Sequence, residues 1–201
     1  MYLNRISNKE FCSHHPWNNR RNNYYGESAA FGCSNTWGIG VEDNQEYPHL
    51  LKLWNGGDPG DSNDGITRRA IQYILEFKPK FICVLWSNLT RREWINESND
   101  IQKYLPNRSK TRAKTQCPKK QWNAFSQLSN NNYDAYVFER NQLLLHSICK
   151  LHNVHIYEDN FTDSWTSRKF SIGLDNIHPG KDWHAHQAVR FYNLIKENSN
   201  D

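Results

Sequence analysis

The chain has 201 residues, a formal net charge of +4, 37% hydrophobic and 13% aromatic residues, and a mean hydropathy of −0.92. That length is enough to bury a core in one domain over residues 1–201, and 8 Trp, 10 Tyr and 9 Phe supply that core where aliphatics are scarce, which argues against a disordered chain. The charge is too mild to require a nucleic-acid partner, no run approaches the roughly 18 apolar residues of a membrane span, and Cys12, Cys33, Cys83, Cys117 and Cys149 are too scattered for a disulfide framework or a zinc motif.

Residues 1–27, with His14, His15, Arg20 and Arg21, read as an irregular polar lead-in. Ser28 to Cys33 reads as a short buried strand. Glu46 to Trp54 has helical spacing (Tyr47, Leu50, Leu51, Leu53, Trp54) up to Asn55-Gly56-Gly57, and the glycine-rich stretch through Gly65 reads as loop. Ile66 to Phe77 puts Ile66, Ala70, Ile71, Ile74 and Phe77 on one helical stripe. Phe81 to Trp86 is apolar throughout, which suits a strand covered on both faces. Residues 91–132 lack a clear pattern and read as an insertion. Within it and just before the next helix, Arg108, Lys110, Arg112, Lys114, Lys119 and Lys120 form a basic stretch. A solvated loop is the ordinary reading of such a stretch; a surface for an anionic glycan, lipid headgroup or nucleic acid is the alternative. Tyr133 to Leu151 reads as a long helix carrying Tyr136, Val137, Leu143, Leu144 and Ile148, Val154 to Tyr157 as a strand, and His184 to Ile195 as a helix with Ala185, Ala188, Val189, Tyr192 and Ile195 in register. Strands alternating with helices predict an α/β fold, a parallel sheet covered on both faces in three α/β/α layers, with working residues at the carboxyl ends of the strands.

Ser34 follows the first strand in Gly32-Cys33-Ser34, and Asp175-Asn176-Ile177-His178-Pro179 lies near the other end of the chain. A serine is a weak nucleophile at neutral pH and needs a histidine to accept its proton, with a carboxylate to hold the imidazole in the right tautomer. Asp and His three positions apart can share one turn, which suits the orienting pair. Of the other histidines, His184 and His186 stand two apart, a spacing that faces one side of a strand but not of a helix, and no carboxylate set accompanies them; a metal site is not expected.

Four blocks, spanning Ser28 to Ala188 apart from the insertion, resemble the SGNH, or GDSL-type, hydrolase family. Gly32-Cys33-Ser34 stands where the family has Gly-Asp-Ser, a Gly-Cys-Ser variant similar to uncharacterised phage and bacterial members. Asn55 to Ser62 is similar to the block whose glycine, here Gly60, helps hold the oxyanion. The literal Gly60-Asp61-Ser62 follows a loop rather than a strand, so Ser62 is not taken as the nucleophile. Trp86-Ser87-Asn88-Leu89 stands where the family has Gly-x-Asn-Asp, and Asp175-x-x-His178-Pro179 matches the last block. The resemblance implies a flavodoxin-like SGNH fold and a serine esterase acting on carbohydrate or lipid esters. Short acyl groups on a glycan are preferred, because no apolar lid helix is visible.

It further implies catalysis by Ser34, Asp175 and His178, an oxyanion hole made by the N–H groups of Ser34 and Gly60 and the Asn88 side chain, and no cofactor or metal. On the bare residues, a turn residue capping a strand is the alternative reading of Asn88. Cys33, Trp86 and Leu89 depart from the family pattern, so a non-catalytic binding or structural protein retaining the fold is the alternative. Met1 to Arg5 has no apolar signal core, so a cytoplasmic location is expected, or virion association or release if the chain is phage-encoded. Asn88-Leu89-Thr90 and Asn160-Phe161-Thr162 match glycosylation acceptors, which an asparagine-rich chain produces by chance.

Overall fold

A strand that is apolar on both faces must be covered from both sides, and the arrangement of elements meets that need. The computed structural model describes residues 27–98, 100–106, 119–160 and 170–198. The lead-in up to residue 26, Cys117, most of the basic stretch (Arg108, Lys110, Arg112, Lys114) and the Phe161-Thr162 half of one glycosylation match lie outside the described residues. In chain order the elements are β1 (Ser28–Gly32), α1 (Ser34–Trp37), α2 (Tyr47–Leu50), β2 (Trp54–Gly57), α3 (Asn63–Phe77), β3 (Phe81–Trp86), β4 (Arg92–Ile95), β5 (Ile101–Tyr104), α4 (Lys119–Leu128), α5 (Asn131–Leu151), β6 (His155–Asn160) and α6 (Lys181–Asn198).

The main sheet has four strands in the order β2-β1-β3-β6, all parallel. Alternation along its central strands divides the core in two. Ala29, Phe31, Ile82, Val84 and Trp86 face Ile66, Ala70 and Ile74 of α3 and Leu145 and Cys149 of α5. Ala30, Cys83 and Leu85 face Tyr47 of α2 and Trp183, Ala188 and Phe191 of α6. The result is the three-layer α/β/α architecture expected from the sequence. From β1 the chain steps outward to β2 and then returns to place β3 on the other side of β1. The strand order therefore reverses between β1 and β3, and in open parallel sheets the crevice beyond the strand ends at such a point is where ligands bind. Ser34 follows β1 there, and Asn88 follows β3.

Several elements differ from the sequence expectation. The helix expected over Glu46–Trp54 stops at Leu50, Lys52 takes a positive φ of 57°, and Trp54–Gly57 is a buried strand rather than the end of a helix and a loop. Glycine disguises this strand by its low β propensity, yet a Cβ at Gly56 would come within 2.7 Å of the Phe31 ring, so the close approach of β2 to β1 needs it. Helix α3 begins at Asn63, before the expected Ile66, because the Ser62 hydroxyl caps it by accepting from the Gly65 N–H at 3.1 Å. On α5, Tyr136, Leu143 and Leu144 are exposed rather than core; the buried face carries Val137, Leu145 and Cys149. On α6, Val189 and Tyr192 are likewise exposed, and Trp183, His184 and Phe191 are buried in their place.

Within 91–132, where the sequence showed no pattern, β4 and β5 form an antiparallel hairpin. Its Trp94 and Tyr104 pack on Phe125 of α4 with ring centroids 5.3 Å apart in both pairs. Arg92 pairs with the buried Asp134 of α5.

Candidate active site

Helix α1 starts immediately beyond β1, so Ser34 is its first residue and its N–H has no acceptor within the helix. Cys33 is the N-cap residue. Ser34 is buried, 7% exposed as a residue, and its hydroxyl donates to Cys33 Sγ at 3.9 Å. No hydrogen bond joins it to His178 among the described residues.

Asp175 and His178 are bonded to each other: His178 Nδ1 lies 2.5 Å from Asp175 Oδ2. The other carboxylate oxygen, Oδ1, accepts from the backbone N–H of Ile177 at 3.1 Å and of His178 at 3.0 Å. This tight turn is completed by Asn176 at φ 57°, with Gly173 N–H donating to the His178 carbonyl at 2.7 Å. Partial burial pushes the Asp175 carboxyl up, but the N–H groups of His178 and Ile177 and the His178 ring outweigh it and hold the carboxyl below the usual carboxylate range. A carboxylate kept ionised on Nδ1 leaves Nε2 of a neutral ring as the proton acceptor.

The serine segment and the Asp–His turn meet through Gly40, a contact with no counterpart in the sequence reading. The segment leaving α1 passes Gly38 and reaches Gly40 at φ 97°. A Cβ at Gly40 would stand 3.0 Å from His178 Cβ and 3.1 Å from Asp175 Oδ1. The Gly40 carbonyl accepts from the Leu174 N–H at 2.7 Å, and a Cβ at Gly173 would lie 2.5 Å from that same oxygen. Gly38-x-Gly40, close behind Trp37, was the available signal for so tight an approach.

The second block is tied to the first. The Asp58 N–H donates to the Gly32 carbonyl at 3.0 Å, and the Asp61 N–H closes a turn on the Asp58 carbonyl at 3.0 Å. Gly60 is buried in that turn at φ 77°, and its N–H has no hydrogen-bond partner among the described residues. Below it, the fully buried Asp61 accepts from Arg69 Nη2 at 2.5 Å and Nε at 3.0 Å. Arg69 also donates to the carbonyls of Gly56 and Gly32. One guanidinium thus gathers the ends of β1 and β2 and the turn carrying Gly60. Ser62 is fully buried and engaged as the α3 cap.

In the third block, Asn88 Oδ1 accepts from Thr90 N–H at 2.9 Å and Thr90 Oγ1 at 2.6 Å. The turn reading of Asn88 therefore holds for its oxygen, while its amide NH₂ has no acceptor among the described residues and remains a donor. Arg91 Nη1 bridges Ser87 Oγ at 2.8 Å and the Asp61 carbonyl at 3.3 Å, linking the second and third blocks. Trp86, at the family's glycine position, is absorbed by the core: its Nε1 donates to Glu158 at 2.8 Å and its ring packs on Phe138.

Two other groupings bear on the chemistry. His146 Nε2 lies 2.6 Å from Glu158 Oε2, on the same helix as Cys149. Burial first, and then the Glu158 charge, push the Cys149 thiol up to about 12, so it stays protonated at neutral pH and is no nucleophile. His184 is buried and accepts from the Tyr47 N–H at 3.3 Å, a packing role. Among the described residues no three His, Cys, Asp or Glu side chains group so as to hold a metal ion, and no helix is long and apolar enough to cross a membrane.

No protein-family model matches the chain, and no curated protein does. Among solved structures it is similar to the psychrotrophic esterase EstA from a Pseudoalteromonas species, in a structure inhibited by monoethylphosphonate, at 15% identity. The match covers 88% of this chain and 100% of that one, with a TM-score of 0.47.

Proposed function

We propose that the chain is a serine esterase that hydrolyses carboxylic esters, with short acyl groups on a carbohydrate as the substrate class. The observation that carries this reading is the 2.5 Å bond between Asp175 and His178, seated against Gly40 of the segment that begins at Ser34. In the proposed reaction His178 Nε2 takes the Ser34 proton as Oγ attacks the ester carbonyl, and Asp175 holds the ring and stabilises the imidazolium. The oxyanion is received by the Ser34 and Gly60 N–H groups and the Asn88 amide. His178 then returns its proton to the departing alcohol, leaving an acyl-serine, which water hydrolyses through the same groups. An expelled alcohol and a free acid balance the reaction, and no cofactor takes part.

The contact of Ser34 Oγ with Cys33 Sγ favours a second reading, a protein that keeps this fold for binding without chemistry. A fluorophosphonate ester separates the two. Covalent labelling mapped to Ser34, and lost in Ser34→Ala and His178→Ala, supports the esterase. A fully folded chain that takes up no label at Ser34 supports the binding protein.

A further inference from the structure

Gly60 sits in a turn outside any helix or strand, and besides Arg69, Arg91 and the backbone bond to Gly32 that turn is held by a hairpin with no place in the four blocks. Lys103, on β5, reaches three oxygens of the turn: Asp58 Oδ2 at 2.7 Å, the Pro59 carbonyl at 3.4 Å and Asp61 Oδ1 at 3.5 Å. An ammonium has three protons and no acceptor, and here its neighbours all belong to one turn. Asp61 Oδ2 is saturated by Arg69, while Asp61 Oδ1 is buried and accepts no hydrogen bond. Lys103 is the cation that faces it.

The hairpin is itself fastened. Glu93 stands opposite Lys103 in the β4–β5 register and takes Arg68 of α3 at 2.9 and 3.2 Å. Leu105, just past β5, closes the other side: a Cβ at Gly60 would lie 3.3 Å from its Cδ1.

We propose that Lys103 is a positioning residue for the oxyanion hole: by holding Asp58, Pro59 and Asp61 together it sets where the Gly60 N–H points. The inference rests on the esterase reading. Without the ammonium, the Asp58 and Asp61 carboxylates of one turn lose the cation that bridges them, and like charges part. Lys103 is 19% exposed, so this attraction is less screened than that of a surface pair. The Gly60 donor then drifts from the position of the developing oxyanion. Because charge develops on that oxygen only in the transition state, the loss appears in kcat and not in KM.

The test uses the full chain and p-nitrophenyl acetate. Lys103→Met is expected to lower kcat about tenfold to a hundredfold, the scale of a displacement near 1 Å, with KM within about twofold, and Lys103→Arg to recover part of the loss. Asp58→Asn keeps the shape of the turn and removes one Lys103 partner, so a smaller kcat loss at constant KM is expected there even if Lys103→Met does not fold. Wild-type kcat in a folded Lys103→Met, or in Asp58→Asn where Lys103→Met does not fold, overturns the positioning role. So does a change confined to KM. Ser34→Ala serves as the control: if it still hydrolyses at the wild-type rate, the esterase reading falls and this inference with it. If it is inactive while folded Lys103→Met keeps full kcat, only the positioning role falls.

Discussion

Gly40→Ala is the substitution that most directly probes how the serine segment and the Asp–His turn are held together. At φ 97° an L side chain is strained, by about 1–2 kcal/mol on the scale of left-handed backbone. The added Cβ would meet His178 Cβ at 3.0 Å and Asp175 Oδ1 at 3.1 Å, where carbon atoms normally rest at about 3.5–4.0 Å. A gap of roughly half an ångström has to open. The loop cannot retreat, since the Gly40 carbonyl is bonded to Leu174 at 2.7 Å and Gly173 backs directly onto it. The Asp175–His178 pair therefore moves instead. Taking about a hundredfold for a 1 Å misplacement, half that shift costs about tenfold in kcat. Overpacking adds about 1–3 kcal/mol of destabilisation to the backbone strain. Steady-state hydrolysis of p-nitrophenyl acetate, run well below the melting temperature of the variant, reads the first effect, and a melting curve reads the second. A variant that melts earlier with kcat unchanged would show that the loop yields and the dyad does not. Unchanged melting and unchanged kcat would refute the contact altogether.

Ser62→Ala is expected to keep a large part of the hydrolysis that Ser34→Ala abolishes, while losing about 1 kcal/mol of stability as the α3 cap disappears. Parallel rates and denaturant midpoints check both halves, and an inactive, fully stable Ser62→Ala would reverse the assignment. Asn88→Ala removes the free amide and is expected to lower kcat by about two to three powers of ten at little change in KM; an unchanged kcat would leave Asn88 as a turn residue only. The lowered Asp175 carboxyl stabilises the fold above the unfolded carboxylate value of about 3.9, and that contribution is lost as pH falls through the lower folded value. The wild type should therefore melt above Asp175→Asn at neutral pH, with the gap closing at acid pH below about 4. A gap independent of pH would mean that the charge of Asp175 contributes nothing.

Local pattern alone determined those features whose physics is local. Phe81 to Trp86 announces a doubly covered strand because both of its faces are apolar, and it forms β3 with the same bounds. The stripe from Ile66 to Phe77 is a helix because one side of it meets the sheet. Asp175 and His178 can be paired on paper because three residues of one turn bring them together. Tertiary structure decided the rest. Trp54–Gly57 does not look like a strand, since glycine has no strand preference of its own; its place is set by the approach of the Phe31 ring from the neighbouring strand. Leu143, Leu144 and Leu145 are equally apolar in sequence, and only the sheet beneath α5 selects Leu145 for burial. The reversal of strand order between β1 and β3, the seat of Gly40 beneath His178 and the reach of Lys103 across to Asp58 join residues far apart in the chain. Such contacts leave no periodic trace, because each partner alone is an ordinary glycine or a charged residue, and proximity is what gives it a role.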